Sequence, residues 1–252
     1  MKPSLVLAAL ALFSAPVLAD LQVVSKSHTD AYNLFGKAIP AKDSTTTLWI
    51  AKDRLRIDSD GMKAIVRLDQ KKLILLDPKE KVWKAIELPF DAKRYLPPEK
   101  ALMADQMMGA RALAAKLEEK DETKKIGEWN AKRYEITLSQ VGNVVTKEIV
   151  WASPDIKIDS LKYEEMCSAL MSITPEQRNL VRELGRIQGL PVRRERTQNL
   201  SSVPVTTIEE VTSALEKEPP AGLYDPPADW TEKPYELLGQ TKATPPPAAP
   251  TK

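Results

Sequence analysis

The chain has 252 residues, 37 basic against 35 acidic, with one histidine and one cysteine. So even a charge balance offers no field to hold nucleic acid, and a single histidine far from a single cysteine supplies neither a zinc site nor the usual base for a serine or cysteine nucleophile. One cysteine also forbids an internal disulfide, so burial alone must hold the core that roughly 230 residues can build as one domain.

Residues 1–19 read as an export signal. Lys2 gives a positive start, Leu5 to Phe13 a short apolar core, and Val17-Leu18-Ala19 a small-residue cleavage site before Asp20. Asp20, and not a cysteine, stands at the cleavage point, so no lipid anchor is expected. No uncharged apolar run reaches the ~18 residues of a membrane helix. The expected location is the periplasm, with the signal cleaved after Ala19 and no transmembrane helix in the mature chain.

Leu21 to Thr29 alternates weakly and reads as the first strand, and Ala31 to Asp43 is a connection of no definite form. Ser44 to Lys52 is rich in β-branched residues and pairs with the strand that begins at Arg54. From Arg54 to Leu88 the chain is a meander of hairpins. Leu55 and Ile57, then Met62, Ala64, Val66 and Leu68, alternate with charged residues as a half-buried pleat requires, and Ile65 breaks that pattern on the outer face. Leu73 to Leu76 is continuously apolar, the mark of a strand covered on both sides, and Val82, Ile86 and Leu88 restore alternation. Asp60-Gly61 and Asp77-Pro78 supply turns, and Asp58, Asp60, Asp69 and Asp77 are read as turn and strand-end residues rather than catalytic acids. The count is six antiparallel strands by Leu88.

After Leu96-Pro97-Pro98 the period changes. Met103, Met107, Ala110, Ala114 and Leu117 recur at steps of four and three, which predicts a helix over Glu99 to Lys120 with a soft apolar stripe. Lys124 to Ser139 and Val144 to Ala152 form a second hairpin about Gly142-Asn143, with Tyr134, Ile136 and Leu138 on one face. Asp159 to Met171 is helix-like, with Cys167 read as a small buried residue and an exposed thiol that pairs two chains as the alternative. Thr174-Pro175-Glu176-Gln177 is a capping signal for a helix carrying Leu180, Val181, Leu184 and Ile187, and Gly189 is placed at its end. Leu190 to Asn199 reads as a charged edge strand; its Arg193, Arg194 and Arg196 are solvated, with anionic headgroups as the alternative partner. Val203 to Leu215 is another strand. Nine of the 20 prolines follow Glu218, so the C-terminal segment is expected to be extended. His28 reads as an exposed strand residue, and Trp49, Trp83, Trp129 and Trp151 as packing residues on or beside strands.

The strand meander "RLRIDSDGMKAIVRLDQKKLILLDPKEKVWKAIEL", a helix after it, "IGEWNAKRYEITLSQVGNVVTKEIVWAS" and "GLPVRRE" together resemble the LolA/LolB-like group of envelope proteins, nearest to a branch described as a domain of unknown function. The resemblance covers roughly Leu21 to Trp230. It implies an α+β fold: a strongly curved antiparallel β-sheet, an unclosed barrel, with helices covering its concave face and an apolar cavity between. It also implies carriage of acyl chains or the sensing of envelope stress.

The resulting expectation is a signal peptide over residues 1–19, one domain over 20–230 and a Pro-rich tail over 231–252. The domain would be a non-enzymatic periplasmic protein that holds a lipid or other apolar ligand against Val66, Leu68, Met103, Met107, Ala110, Ile136 and Leu138, with no catalytic residues, metal or cofactor. The alternative is an envelope interaction or stress-sensing module with a self-filled cavity, its protein partner gripping the Pro-rich tail.

Overall fold

The structure is a computed structural model that describes residues 19–96, 100, 113–140, 143–170 and 178–236. Its first strand, β1 (Asp20–Thr29), joins the two halves of the chain, pairing with β4 (Lys42–Ile50) on one side and β13 (Val203–Lys217) on the other. Beyond β4 run β5 (Arg54–Ser59), β6 (Lys63–Arg67), β7 (Lys72–Asp77) and β8 (Val82–Glu87). Beyond β13 run β12 (Leu190–Leu200), β11 (Asn143–Ser153), β10 (Trp129–Gln140) and β9 (Leu113–Ile126). The sheet is curved and unclosed, and its neighbours are antiparallel except where the two-residue β14 (Thr231–Glu232) lies parallel to β8. The connection from Ala31 to Asp43 is a small hairpin of its own, β2 (Tyr32–Leu34) with β3 (Lys37–Ile39).

Alternation sorts the meander onto two faces. Leu55, Ala64, Val66, Leu73 and Ile86 enter one core with Val23 and Ile50. Ile65, Ile74 and Leu76 enter a separate cluster with Trp49 and Tyr224 on the other face. The apolar outward residues are thus explained by a cover: Leu223, Tyr224 and Trp230 lie over them. Arg56 and Arg67 donate to the Leu223 and Tyr224 carbonyls at 2.9 and 3.2 Å, and the Arg54 guanidinium stacks 4.7 Å above the Tyr224 ring. Tyr235 meets Tyr95 edge-on at 5.1 Å, so packing continues beyond residue 230.

The Tyr224 hydroxyl donates to a buried Asp20 carboxylate at 2.8 Å, tying the start of β1 to this cover. Tyr224→Phe is expected to lower stability by about 1 kcal/mol, because the phenyl ring keeps the packing while Asp20 loses a donor. Urea unfolding of the two proteins measures this; equal midpoints would show that the hydrogen bond contributes nothing net.

On the first core face sits α1 (Ser160–Leu170), begun by Asp159, whose carboxylate accepts from the Lys162 amide at 3.0 Å. Its Tyr163, Met166 and Ala169 join the cluster containing Val23, Leu55 and Val66. The shorter α2 (Arg178–Leu184) and the turn after it place Leu184 and Ile187 against Leu117, Tyr134, Ile136 and Val150.

Three expectations need correction. From Leu113 the chain is the strand β9, so Ala114 and Leu117 are not helical. Cross-strand charge pairs with β10, Lys132 with Glu119 and Arg133 with Glu122, fix it there and outweigh the helix propensity of Ala, Leu, Lys and Glu. The residues of the expected methionine stripe, Met103, Met107 and Ala110, lie outside the described residues, as does the capping signal at Thr174. Secondly, Leu190 to Asn199 is no edge: β12 is flanked by β11 and β13. Thirdly, α2 stops at Leu184, and Gly189 instead lies in the bend just before β12.

Candidate functional site

Between α1, α2 and the sheet the described side chains leave a cavity of about 360 Å3. Its wall is apolar where β10 and the end of α2 meet, with Ile136, Leu138, Leu180, Leu184 and Ile187. Val23, Leu48, Ile57 and Val211 extend that surface across β1, β4, β5 and β13. A polar strip crosses the apolar lining. It consists of Glu148 on β11, Arg194 and Arg196 on β12, Glu209 on β13, Ser25 on β1, and Tyr163, Glu164 and Cys167 on α1.

Strand alternation places the strip there. Thr146, Glu148, Val150 and Ala152 are all buried and share one parity of β11. On β12, Leu190, Val192, Arg194 and Arg196 share one parity and reach the same cavity. Glu148 lies opposite Arg196 in the ladder, and Arg194 opposite Glu209. The Glu148 carboxylate accepts from Arg194 Nη1 at 2.8 Å and Arg196 Nε at 3.2 Å. Glu209 accepts from the Ser25 hydroxyl at 2.6 Å.

The surroundings divide the carboxyls. Burial pushes Glu148 up, but the charges of Arg194 and Arg196 outweigh it and hold it below the usual range. For Glu164 burial prevails, aided by repulsion from Glu148 and opposed by Arg194, and its carboxyl is held above the usual range. Burial pushes the Cys167 thiol up to about 12 and Tyr163 well above its ordinary value, so both stay protonated. A thiol so placed is no nucleophile. Arg194 remains charged, because its acidic neighbours outweigh the burial that opposes it.

The residues expected to line a ligand site separate. Ile136 and Leu138 border the cavity. Val66 is fully buried in the close-packed core. Leu68 stands in a short 3-10 turn and borders a second, larger groove of about 1250 Å3, where Leu88, Pro89, Leu161 and Val181 form an apolar lining with Asp69, Lys72, Glu87, Arg94 and Lys162 among them. Met103, Met107 and Ala110 lie outside the described residues. Sequence reasoning missed the polar strip and the part played by α1. His28 is half exposed, as expected, and its Nδ1 lies 2.7 Å from Asp43. No helix among the described residues is long and apolar enough to cross a membrane.

No known family description matches the sequence, and no curated protein does. Among solved structures the chain is similar to PNGF-II, with 11% identity and a TM-score of 0.41 over 87% of this chain; it spans only 32% of that protein's length. It is also similar to the LolA superfamily protein NE2245 of Nitrosomonas europaea, with 10% identity and a TM-score of 0.33 over 82% of this chain and 90% of the other. A third similarity is to a Vibrio parahaemolyticus domain described as outer membrane lipoprotein-sorting, with 9% identity and a TM-score of 0.28 over 79% and 86% of the two chains. At such scores the likeness assigns this chain no ligand, partner or activity. A LolA superfamily protein and a lipoprotein-sorting domain are thus both among the solved structures to which the chain is similar.

Proposed function

We propose that the chain is an exported, non-enzymatic binding protein that holds a lipid or other apolar molecule between its curved sheet and the helices covering the concave face. Residues 1–19 would be removed on export to the periplasm. The observation that supports this most is the cavity of about 360 Å3, lined by Ile136, Leu138, Leu180, Leu184 and Ile187. Ligand pockets run from about 300 to 1,000 Å3, so this one suits a single slender chain rather than a bulky lipid. Each methylene moved from water into it gains about 0.8 kcal/mol, enough for useful affinity without any catalytic group. An envelope interaction or stress-sensing module is the rival reading, and it draws on the Pro-rich end.

Two measurements test the carrier. Lipid extracted from gently purified mature protein should contain an aliphatic species, and the emptied protein should take up a fluorescent fatty-chain probe. Leu138→Trp, which fills the cavity from β10, is expected to weaken uptake by at least about tenfold while the fold persists by circular dichroism. Uptake undiminished in that variant, or a clean extract with no uptake, would sink the proposal.

A further inference from the structure

The strip across the cavity is short of positive charge. Three carboxyls, those of Glu148, Glu164 and Glu209, face it against the two guanidinium groups of Arg194 and Arg196. Arg193 also borders the cavity, but Glu195 and Glu210 hold its guanidinium at 2.9 and 2.6 Å. Glu148 takes both guanidinium groups within hydrogen-bond distance. Glu209 takes the Ser25 hydroxyl. Glu164 is left over: its side chain is 8% exposed and stands 3.9 Å from Arg194 Nη2, and it makes no hydrogen bond among the described residues. A carboxyl this buried, with one ion-pair contact at the limit of range and no hydrogen bond among the described residues, is poorly compensated unless something else satisfies it.

Resting on the carrier reading, we propose that Glu164 is the headgroup site of the cavity, and that the ligand is an amphiphile bearing an ammonium group, its chain lying along Leu138, Leu184 and Ile187. An ammonium supplies both the missing charge and three donors. An anionic head would meet three carboxyls in the same lining as Arg194 and Arg196. A neutral hydroxyl could bond Glu164 but would leave the charge unbalanced.

Binding then exchanges a proton for the ligand's cation. The groups facing Glu164 are shifted away from neutrality: Arg194 of β12 is held cationic, the Glu148 carboxyl of β11 is lowered by Arg194 and Arg196, and Tyr163 and Cys167 of α1 are raised and stay protonated. Glu209 of β13 is held by Ser25, while on α2 Glu183 turns away to Arg186 and the Leu117 amide. Arg182 of α2 borders the other groove. Glu164 is the facing carboxyl whose value is raised, so amine affinity should climb as pH rises through that raised value. Alkylammonium stays charged to about pH 10.

Dodecylamine, dodecanol and dodecanoate, each below its micelle-forming concentration, would be competed against a bound fluorescent probe on the full mature chain between pH 4 and 8. The amine should displace the probe at least about tenfold more tightly than the alcohol at pH 8, with the ratio falling toward one at pH 4. In Glu164→Gln, and in Glu164→Leu as a second variant, the ratio at pH 8 should fall to near one. Dodecanoate binding better than the amine, or an amine preference that survives in both variants, would overturn the headgroup assignment and leave the carrier standing. Failure of all three compounds, and of the probe itself, would overturn the carrier reading and this inference with it.

Discussion

Glu148→Gln is expected to cost the protein about 3 kcal/mol. The substitution keeps the shape of the side chain and removes the charge that Arg194 and Arg196 share, leaving Arg194, with 21% of its side chain exposed, without its closest counter-ion. Breaking a buried pair from one side is costly because the surviving charge keeps its desolvation penalty and loses its compensation. The pH dependence has a definite sign. The carboxyl of Glu148 is lowered from an ordinary value of 4.5, so its contribution is complete above that value and is lost as pH falls through the folded one. The gap between wild type and variant should therefore be widest near pH 7 and should close in acid. Urea unfolding at several pH values reads this directly. Adding Arg194→Met should recover part of the loss, since an apolar residue of similar length removes the stranded charge. A gap constant with pH would mean that packing, and not charge, is what the substitution removes. Glu164 provides the contrast: its raised carboxyl stabilises the fold at low pH, and that stabilisation is lost as pH rises through its folded value.

The meander was legible because each of its strands announces itself twice, by alternation and by a turn. Asp77, for example, accepts from the Lys79 and Glu80 amides at 3.0 and 3.2 Å, which closes the β7–β8 turn that Asp77-Pro78 implies. Ile65 and Ile74 also announced that the outer face needs a cover. What the sequence concealed was its source, because a run broken by Pro219, Pro220, Pro226 and Pro227 has no period, and its three apolar contacts come from scattered residues. The segment at Ala114 and Leu117 misleads for the opposite reason. Spacing and propensity both favour helix, and only the long-range partner β10 makes it a strand. The polar strip was half visible. Arg194 and Arg196 continue the inward parity of Leu190 and Val192, and Glu148 that of Val150 and Ala152, so a strict reading of period two puts charges inside. Their mutual neutralisation depends on the pairing of β11 with β12, between residues 46 positions apart in the sequence. No local pattern carries that register.

Gly189→Ala should be the most damaging alanine substitution among the described glycines, costing about 4 kcal/mol and lowering Tm by about 10 °C. Two penalties combine at this position. Its φ of +81° lies in the left-handed region, where a side chain costs about 1–3 kcal/mol. A Cβ there would also stand 2.0 Å from the Ser153 carbonyl oxygen and 2.4 Å from its carbon, atoms of the backbone that cannot swing aside. Ser153 pairs with Leu190 at the start of the β11–β12 ladder, so relief requires the two strands to part where Leu190 and Val192 border the cavity. Probe uptake should therefore fall together with stability. Gly36 separates the two penalties: its φ is +79°, yet a Cβ there meets nothing within 4 Å. Gly36→Ala should accordingly lose only the conformational part, about 1 kcal/mol, and leave uptake intact. Thermal melts and probe titrations of both variants decide the matter. Equal losses would show that backbone conformation alone governs Gly189, whereas a larger loss at Gly189 locates the constraint in the close approach of β12 to Ser153.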